Sequence, residues 1–338
     1  MSLSILKNLL VIELSLILLG YGEEIRVCIW KGKNPEGIVG KYKKILGNTV
    51  YLKKKNNTYF LISKIDIEKY VCGVVGKEMS PDWPFEALKA QSVCSRTIAY
   101  LKKIENSENF YDVENSIYHQ VYGKCDNKRV WKAVSETKGE VLLYKGKIVP
   151  VFYHACCGGK TTSYLSVWGN FDFPWLKPVE DPFCKDSPYI KWKRVFSKRK
   201  ISEILGKDIK KMEILKRDSS GRAQTLKFIL KNGETLTISS QDFRMKLYSS
   251  TNRILFSNTD ILPSTFFWTK DNGEEIIFYG KGYGHGVGMC QWGARKMAEK
   301  GYDYRKILKH FFPLLKIGKI SKKEVYGDYS EFCACKNR

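Results

Sequence analysis

The residues best suited to chemistry begin with Glu78. It closes an apolar stretch containing Val71, Val74 and Val75, and a Ser-Pro turn with Trp83 follows it. A carboxyl among apolar and aromatic side chains loses hydration, which disfavours its charged form, so its pKa is expected to rise. An acid still protonated near neutral pH can protonate a glycosidic oxygen. General burial rules favour the plainer alternative, an exposed glutamate at a helix end. Gln91 and Arg96 lie on the next apolar helix. They read either as solvent-facing polar residues or, turned into a cleft, as partners for sugar hydroxyls and acetamides.

A second candidate is the run GYGHGVGMCQWGA at 282–294. Gly282, Gly284, Gly286 and Gly288 stand at every second position with His285 among them. Glycines this dense mark backbone that must approach something closely. A phosphate cradle needs Gly-Lys-Ser/Thr, and a dinucleotide fingerprint needs its third glycine three residues after its second. Neither pattern is present, which excludes the standard nucleotide loops. His285 then either positions a ligand or hydrogen-bonds within its own turn.

The cysteines are a third source of chemistry. Ten in a chain of 338 residues do not make a small disulfide scaffold. Cys28, Cys72 and Cys94 have apolar neighbours and read as small core residues. Cys125, Cys156, Cys157 and Cys184 sit in polar, loop-like surroundings. With His119, the thiols of Cys125, Cys157 and Cys184 offer the sulfur and nitrogen donors of a closed zinc site. A Cys157–Cys184 disulfide and free thiols stand beside it as alternatives. The Cys333-x-Cys335 pair lies in a polar tail and reads as a metal or redox contact or as incidental.

The elements that position these residues read as a mixed α+β body. Residues 24–64 alternate apolar and polar, as short strands and hairpins do. Residues 66–78 read as a helix capped by Asp66, and a second helix runs from about Pro84 to Ile104. Residues 148–154 read as a buried strand. Strands joined by turns at 219–221 and 232–233 fill 212–240, and two short helices fill 292–311. Residues 1–22 are apolar with Lys7 near the start, as in a secretory signal or membrane anchor. The body then spans 23–318 and a polar tail 319–338.

The net charge of +23 suits an anionic partner such as a nucleic acid, a membrane surface or an acidic wall polymer. The basic residues are spread along the chain, so solvated lysines explain the charge equally well. An export segment argues against nucleic acid, and membrane contact is expected only through the N-terminal segment.

Taken in order, these blocks resemble the SpoIID/LytB family of bacterial cell-wall proteins. The resemblance is carried by VVGKEMSPDWPFEALKAQSVCSRTIAY (74–100), VFYHACCGGKTTSYLSVWG (151–169), SSGRAQTLKFIL with the later DFR (219–244), and GKGYGHGVGMCQWGARKMAEKGYDYRKILKHFFP (280–313). It implies an exported α+β enzyme whose short strands, hairpins and few helices line a glycan-binding cleft. The implied activity is that of a lytic transglycosylase on peptidoglycan, cutting between N-acetylmuramic acid and N-acetylglucosamine. Glu78 matches the family's single catalytic acid. The resemblance places Gln91, Arg96, Tyr153, His154, His285 and Gln291 along the cleft. No cofactor is required for catalysis. Structural zinc bound by some members makes His119, Cys125, Cys157 and Cys184 the ligand candidates. Other members are described as amidase enhancers, so a wall-binding partner of an amidase is the alternative.

Overall fold

Asp66 caps a helix as its sequence predicts. Its carboxylate accepts the Lys69 N–H at 3.0 Å, and helix α2 (Ile67–Glu78) follows. The computed structural model describes residues 24–46, 49–116, 120–250 and 261–320. The export segment and the Cys333–Cys335 tail therefore lie outside the described residues. Among the described residues, no helix is long and apolar enough to cross a membrane. The chain divides into two compact units, with 24–151, 303–305 and 315–320 in the first and 152–302 and 306–314 in the second.

In the first unit, strands β1 (Glu24–Gly32), β2 (Val50–Lys55), β3 (Thr58–Asp66) and β4 (Val113–Glu114) form one sheet in the order β2-β3-β1-β4. Asn56 and Asn57 both take positive φ, 47° and 57°, and close the β2–β3 hairpin on the two-residue turn that asparagine tolerates. Helix α1 (Ile38–Leu46) interrupts the strands expected over 24–64. Helix α3 (Phe85–Glu105) begins one residue later than expected, with Pro84 as its N-cap. Along most of its length α3 is buried on every side, so its polar residues go inside with the apolar ones. Helix α4 (Lys128–Glu136) and strands β5 (Glu140–Tyr144) and β6 (Lys147–Ile148) complete this unit, with Lys316–Lys319 paired to β5.

The second unit opens with β7 (Tyr153–His154) and helix α5 (Tyr164–Trp168). The expected strand over 148–154 is thus split between β6 and β7. Strand β8 (Trp192–Ser197), helix α6 (Lys198–Leu205), strands β9 (Ile209–Arg217), β10 (Ala223–Leu230) and β11 (Thr235–Ser239), and helix α7 (Ser240–Ser250) come next. Strands β12 (Phe267–Asp271), β13 (Glu275–Gly280) and β14 (Met289–Cys290) lead into helix α8 (Gln291–Glu299). In β10 the side chains of Leu226, Phe228 and Leu230 are buried at every second position, the pattern of a strand with one face on a core. That core also takes Phe196, Phe243, Phe267 and Phe278 from the surrounding strands and helix. Phe267 and Phe278 meet edge-on with centroids 5.2 Å apart, while Phe243 stacks on Phe278 at 6.5 Å.

Candidate functional site

Glu78 ends α2 half-buried, its carboxylate accepting the Val121 N–H at 3.4 Å. The segment that supplies this donor is fastened to α2 residue by residue. A disulfide joins Cys72 of α2 to Cys125. Tyr122 stacks on Tyr70 with centroids 5.3 Å apart, and burial pushes the Tyr122 phenol up to about 12. The Gly123 N–H donates to the Gly73 carbonyl at 3.3 Å, and a Cβ on Gly73 would strike the Gly123 carbonyl. Only glycine permits that approach. Beyond Glu78, Arg129 of α4 donates to the Pro81 carbonyl at 2.7 Å and holds the turn after the helix. A carboxylate with one oxygen on a fixed N–H and partial access to solvent can exchange a proton with a bound group.

Two residues expected in the cleft are structural. Arg96 is fully buried. Its Nε and Nη2 donate to the two carboxylate oxygens of Glu68 at 2.9 and 2.6 Å. Nη1 reaches the Glu140 carbonyl at 3.1 Å and Nη2 the Val134 carbonyl at 3.0 Å. A guanidinium committed in this way has no reach for a sugar. Gln91 is also fully buried and donates to Ser95 Oγ at 3.1 Å.

Tyr153, His154, His285 and Gln291 belong to the second unit, whereas Glu78 belongs to the first. The alternating glycines explain themselves there. All four have positive φ, between 74° and 104°. A Cβ on Gly282 would lie 2.7 Å from the Cys156 carbonyl oxygen, and one on Gly284 2.9 Å from the His154 Cβ. One on Gly286 would lie 2.7 Å from the Arg222 guanidinium, and one on Gly288 would strike the Phe152 carbonyl. Gly282, Gly284 and Gly288 therefore lie against the chain's own 152–156 segment and Gly286 against Arg222, so the close approach is to the protein itself. His285 is held within this contact. Its Nδ1 accepts the Val287 N–H at 3.0 Å, and its ring also bonds the Tyr153 backbone. Burial, followed by the neighbouring His154, holds its pKa well below the ordinary imidazole value. His154 is buried, its ring 5.5 Å from that of His285 and its Nδ1 3.1 Å from the Val287 carbonyl. Burial and then Arg222 bring its pKa down to about 4. Both imidazoles are neutral building elements near pH 7. Tyr153 is half-buried, and Gln291, the first residue of α8, is buried.

The expected ligand set does not assemble. Cys125 is consumed by its bond to Cys72, so it has no thiolate to offer, and His119 lies outside the described residues. Cys157 and Cys184 remain free thiols with sulfurs 3.5 Å apart. Two residues absent from that set join them: the donor atoms of Cys157, Asp181, Cys184 and Cys290 all lie within 4.8 Å of one another. Cys290 carried a readable signal, since it sits two residues after the last of the alternating glycines and immediately before a helix. Asp181 carried none.

A family model described as Stage II sporulation protein matches residues 55–144, and one for a Domain of unknown function (DUF8618) matches 184–288. Stage II sporulation protein D of Bacillus amyloliquefaciens is 31% identical over 274 residues, which is 74% of each chain. The chain belongs to the stage II sporulation protein D family. An uncharacterized protein of Brachyspira hyodysenteriae is 36% identical, over 76% of this chain and 68% of its own. The amidase enhancer of Bacillus subtilis is 31% identical over 71% of this chain but only 39% of its own length. Within this family member, Glu78 falls inside the span of the sporulation-protein match, and the glycine run lies mostly within the second match.

Proposed function

We propose that this family member is a peptidoglycan lytic transglycosylase of the cell envelope with Glu78 as its single acid and base. The observation that carries the reading is the half-buried Glu78 carboxylate, held on the Val121 N–H by the clamped 120–125 segment, inside the family-matched span. Protonated Glu78 gives its proton to the oxygen between muramic acid and the next sugar, and that C–O bond breaks. Positive charge develops at the muramic anomeric carbon. Glu78, now a carboxylate, takes the proton from the C6 hydroxyl of the same sugar, whose oxygen closes a 1,6-anhydro ring. One carboxyl serves both steps, so the second carboxylate of ordinary glycosidases is not needed. Arg96 and Gln91 serve the fold.

The test incubates purified protein with glycan strands stripped of stem peptides and seeks anhydro-muramic products by mass. Wild type should form them, and Glu78→Gln should lose them while melting like wild type. Absence of product from wild type, or unchanged yield from Glu78→Gln, refutes the reading. The relative named amidase enhancer supports a second reading, in which the chain binds wall and stimulates an amidase. That reading predicts amidase stimulation that survives Glu78→Gln.

A further inference from the structure

The buried thiols of the second unit are arranged for more than packing. The Cys157 sulfur lies 3.5 Å from that of Cys184 and 3.1 Å from Asp181 Oδ2. Zinc–sulfur bonds of about 2.3 Å in a tetrahedron require thiolate–thiolate edges of roughly 3.8 Å, close to this spacing. The Cys290 sulfur accepts the Cys157 N–H at 3.2 Å and, as N-cap of α8, the Gly293 N–H at 3.3 Å. Two N–H donors are thus aimed at this one sulfur. The other Asp181 oxygen accepts the Phe183 N–H at 3.0 Å, which fixes Oδ2 toward the sulfurs. Gly293 makes room for this carboxylate, because a Cβ there would strike it. Fully buried Arg222 supplies positive charge beside Cys157 and Cys290.

The pattern of oxidation points the same way. A chain that forms the Cys72–Cys125 disulfide meets oxidising conditions, where neighbouring free thiols tend to pair. Cys156, Cys157, Cys184 and Cys290 are nonetheless all free. We propose that Cys157, Cys184 and Cys290, with the Asp181 carboxylate, hold a structural zinc ion inside the second unit. Three thiols release their protons to solvent as the ion binds, and no electron is transferred. The four side chains fill a tetrahedral shell, so the ion keeps no open position and takes no part in cleavage. Cys156, whose thiol contacts Cys184, Cys290 and Ser187, stays outside the shell.

The test uses the full chain, purified under reducing conditions and dialysed against metal-free buffer. Elemental analysis should find about one zinc per chain. Cys184→Ser and Cys290→Ser should lose it, and Cys156→Ser should keep it. Gly293→Ala, which pushes on Asp181, should weaken zinc binding roughly 10- to 100-fold. Replacing zinc with cobalt(II) in wild type should give strong thiolate-to-cobalt charge transfer and intense tetrahedral d–d bands, a readout that does not depend on any variant folding. Wild type that binds neither metal overturns the proposal. So does a Cys157–Cys184 disulfide found by mass in metal-free protein that melts at the wild-type temperature, or an octahedral cobalt spectrum.

Discussion

Replacing Arg96 with methionine separates a residue that builds the fold from one that grips a sugar. Methionine keeps much of the side chain's length and removes its charge. It leaves the Glu68 carboxylate buried, with the Gly139 N–H at 3.2 Å among its donors, and strips donors from the Glu140 and Val134 carbonyls. Breaking one side of a buried ion pair costs about 3–5 kcal/mol, because the remaining charge is stranded away from water. For a domain of this size that lowers the melting temperature by on the order of 10 °C. Replacing both partners, Arg96→Met with Glu68→Leu, removes the stranded charge and should recover much of the loss. The assay is thermal unfolding of wild type, both single variants and the double variant, with wall-polymer pull-down in parallel. If Arg96→Met melts with wild type and only its sugar binding falls, Arg96 faces a ligand and the structural account is wrong.

Other expectations follow from the same geometry. The Cys72–Cys125 bond closes a sequence separation of 53 residues, so reducing it should cost up to ~4 kcal/mol in the chain-entropy account, read as a reductant-dependent melting shift that Cys72→Ala abolishes. His154 is buried neutral, its pKa about 4 in the fold against 6.5 unfolded. Its depressed pKa contributes stability that is complete above pH 6.5 and lost as pH falls toward 4, worth ~3 kcal/mol, and His154→Asn should flatten that part of a stability–pH curve. Gly288→Ala places a Cβ against the Phe152 carbonyl at a φ of +74° and should cost ~2 kcal/mol or more, measured by chemical denaturation.

Local chemistry was legible in the sequence where the signal was local. The Asp66 cap, the turn at Asn232-Gly233 and the start of α8 near Gln291 depend on neighbours a few residues away. The α1 helix did not announce itself, because nine residues with no acidic first turn carry little helical signal. Arg96 and Gln91 depart from expectation for a different reason. Polar residues on an amphipathic helix normally face water, but α3 is buried on nearly every side, and the partner that makes Arg96 tolerable, Glu68, belongs to the preceding helix. Cys125 could not be paired with Cys72, nor Cys290 with Cys157, because separations of 53 and 133 residues are settled by topology and not by spacing. The glycine run announced a close approach correctly, and what it approaches became plain only with the fold.

That approach joins the two ends of a long excursion. The parallel bridge of β7 with β14 and the glycine contacts fasten 152–156 to 282–290, with the whole β8–β13 body lying between them in sequence. Pairings this distant are slow to form, because the entropy of closing the loop is lost before any contact is gained. A growing chain that has not yet reached residue 282 lacks the partner for 152–156, so the second unit should complete itself late in synthesis. The same fastening sets the reading frame of the contact. Gly282, Gly284 and Gly288 meet Cys156, His154 and Phe152 in turn, while Gly286 meets Arg222, so one inserted or deleted residue on either side throws these contacts out of step together.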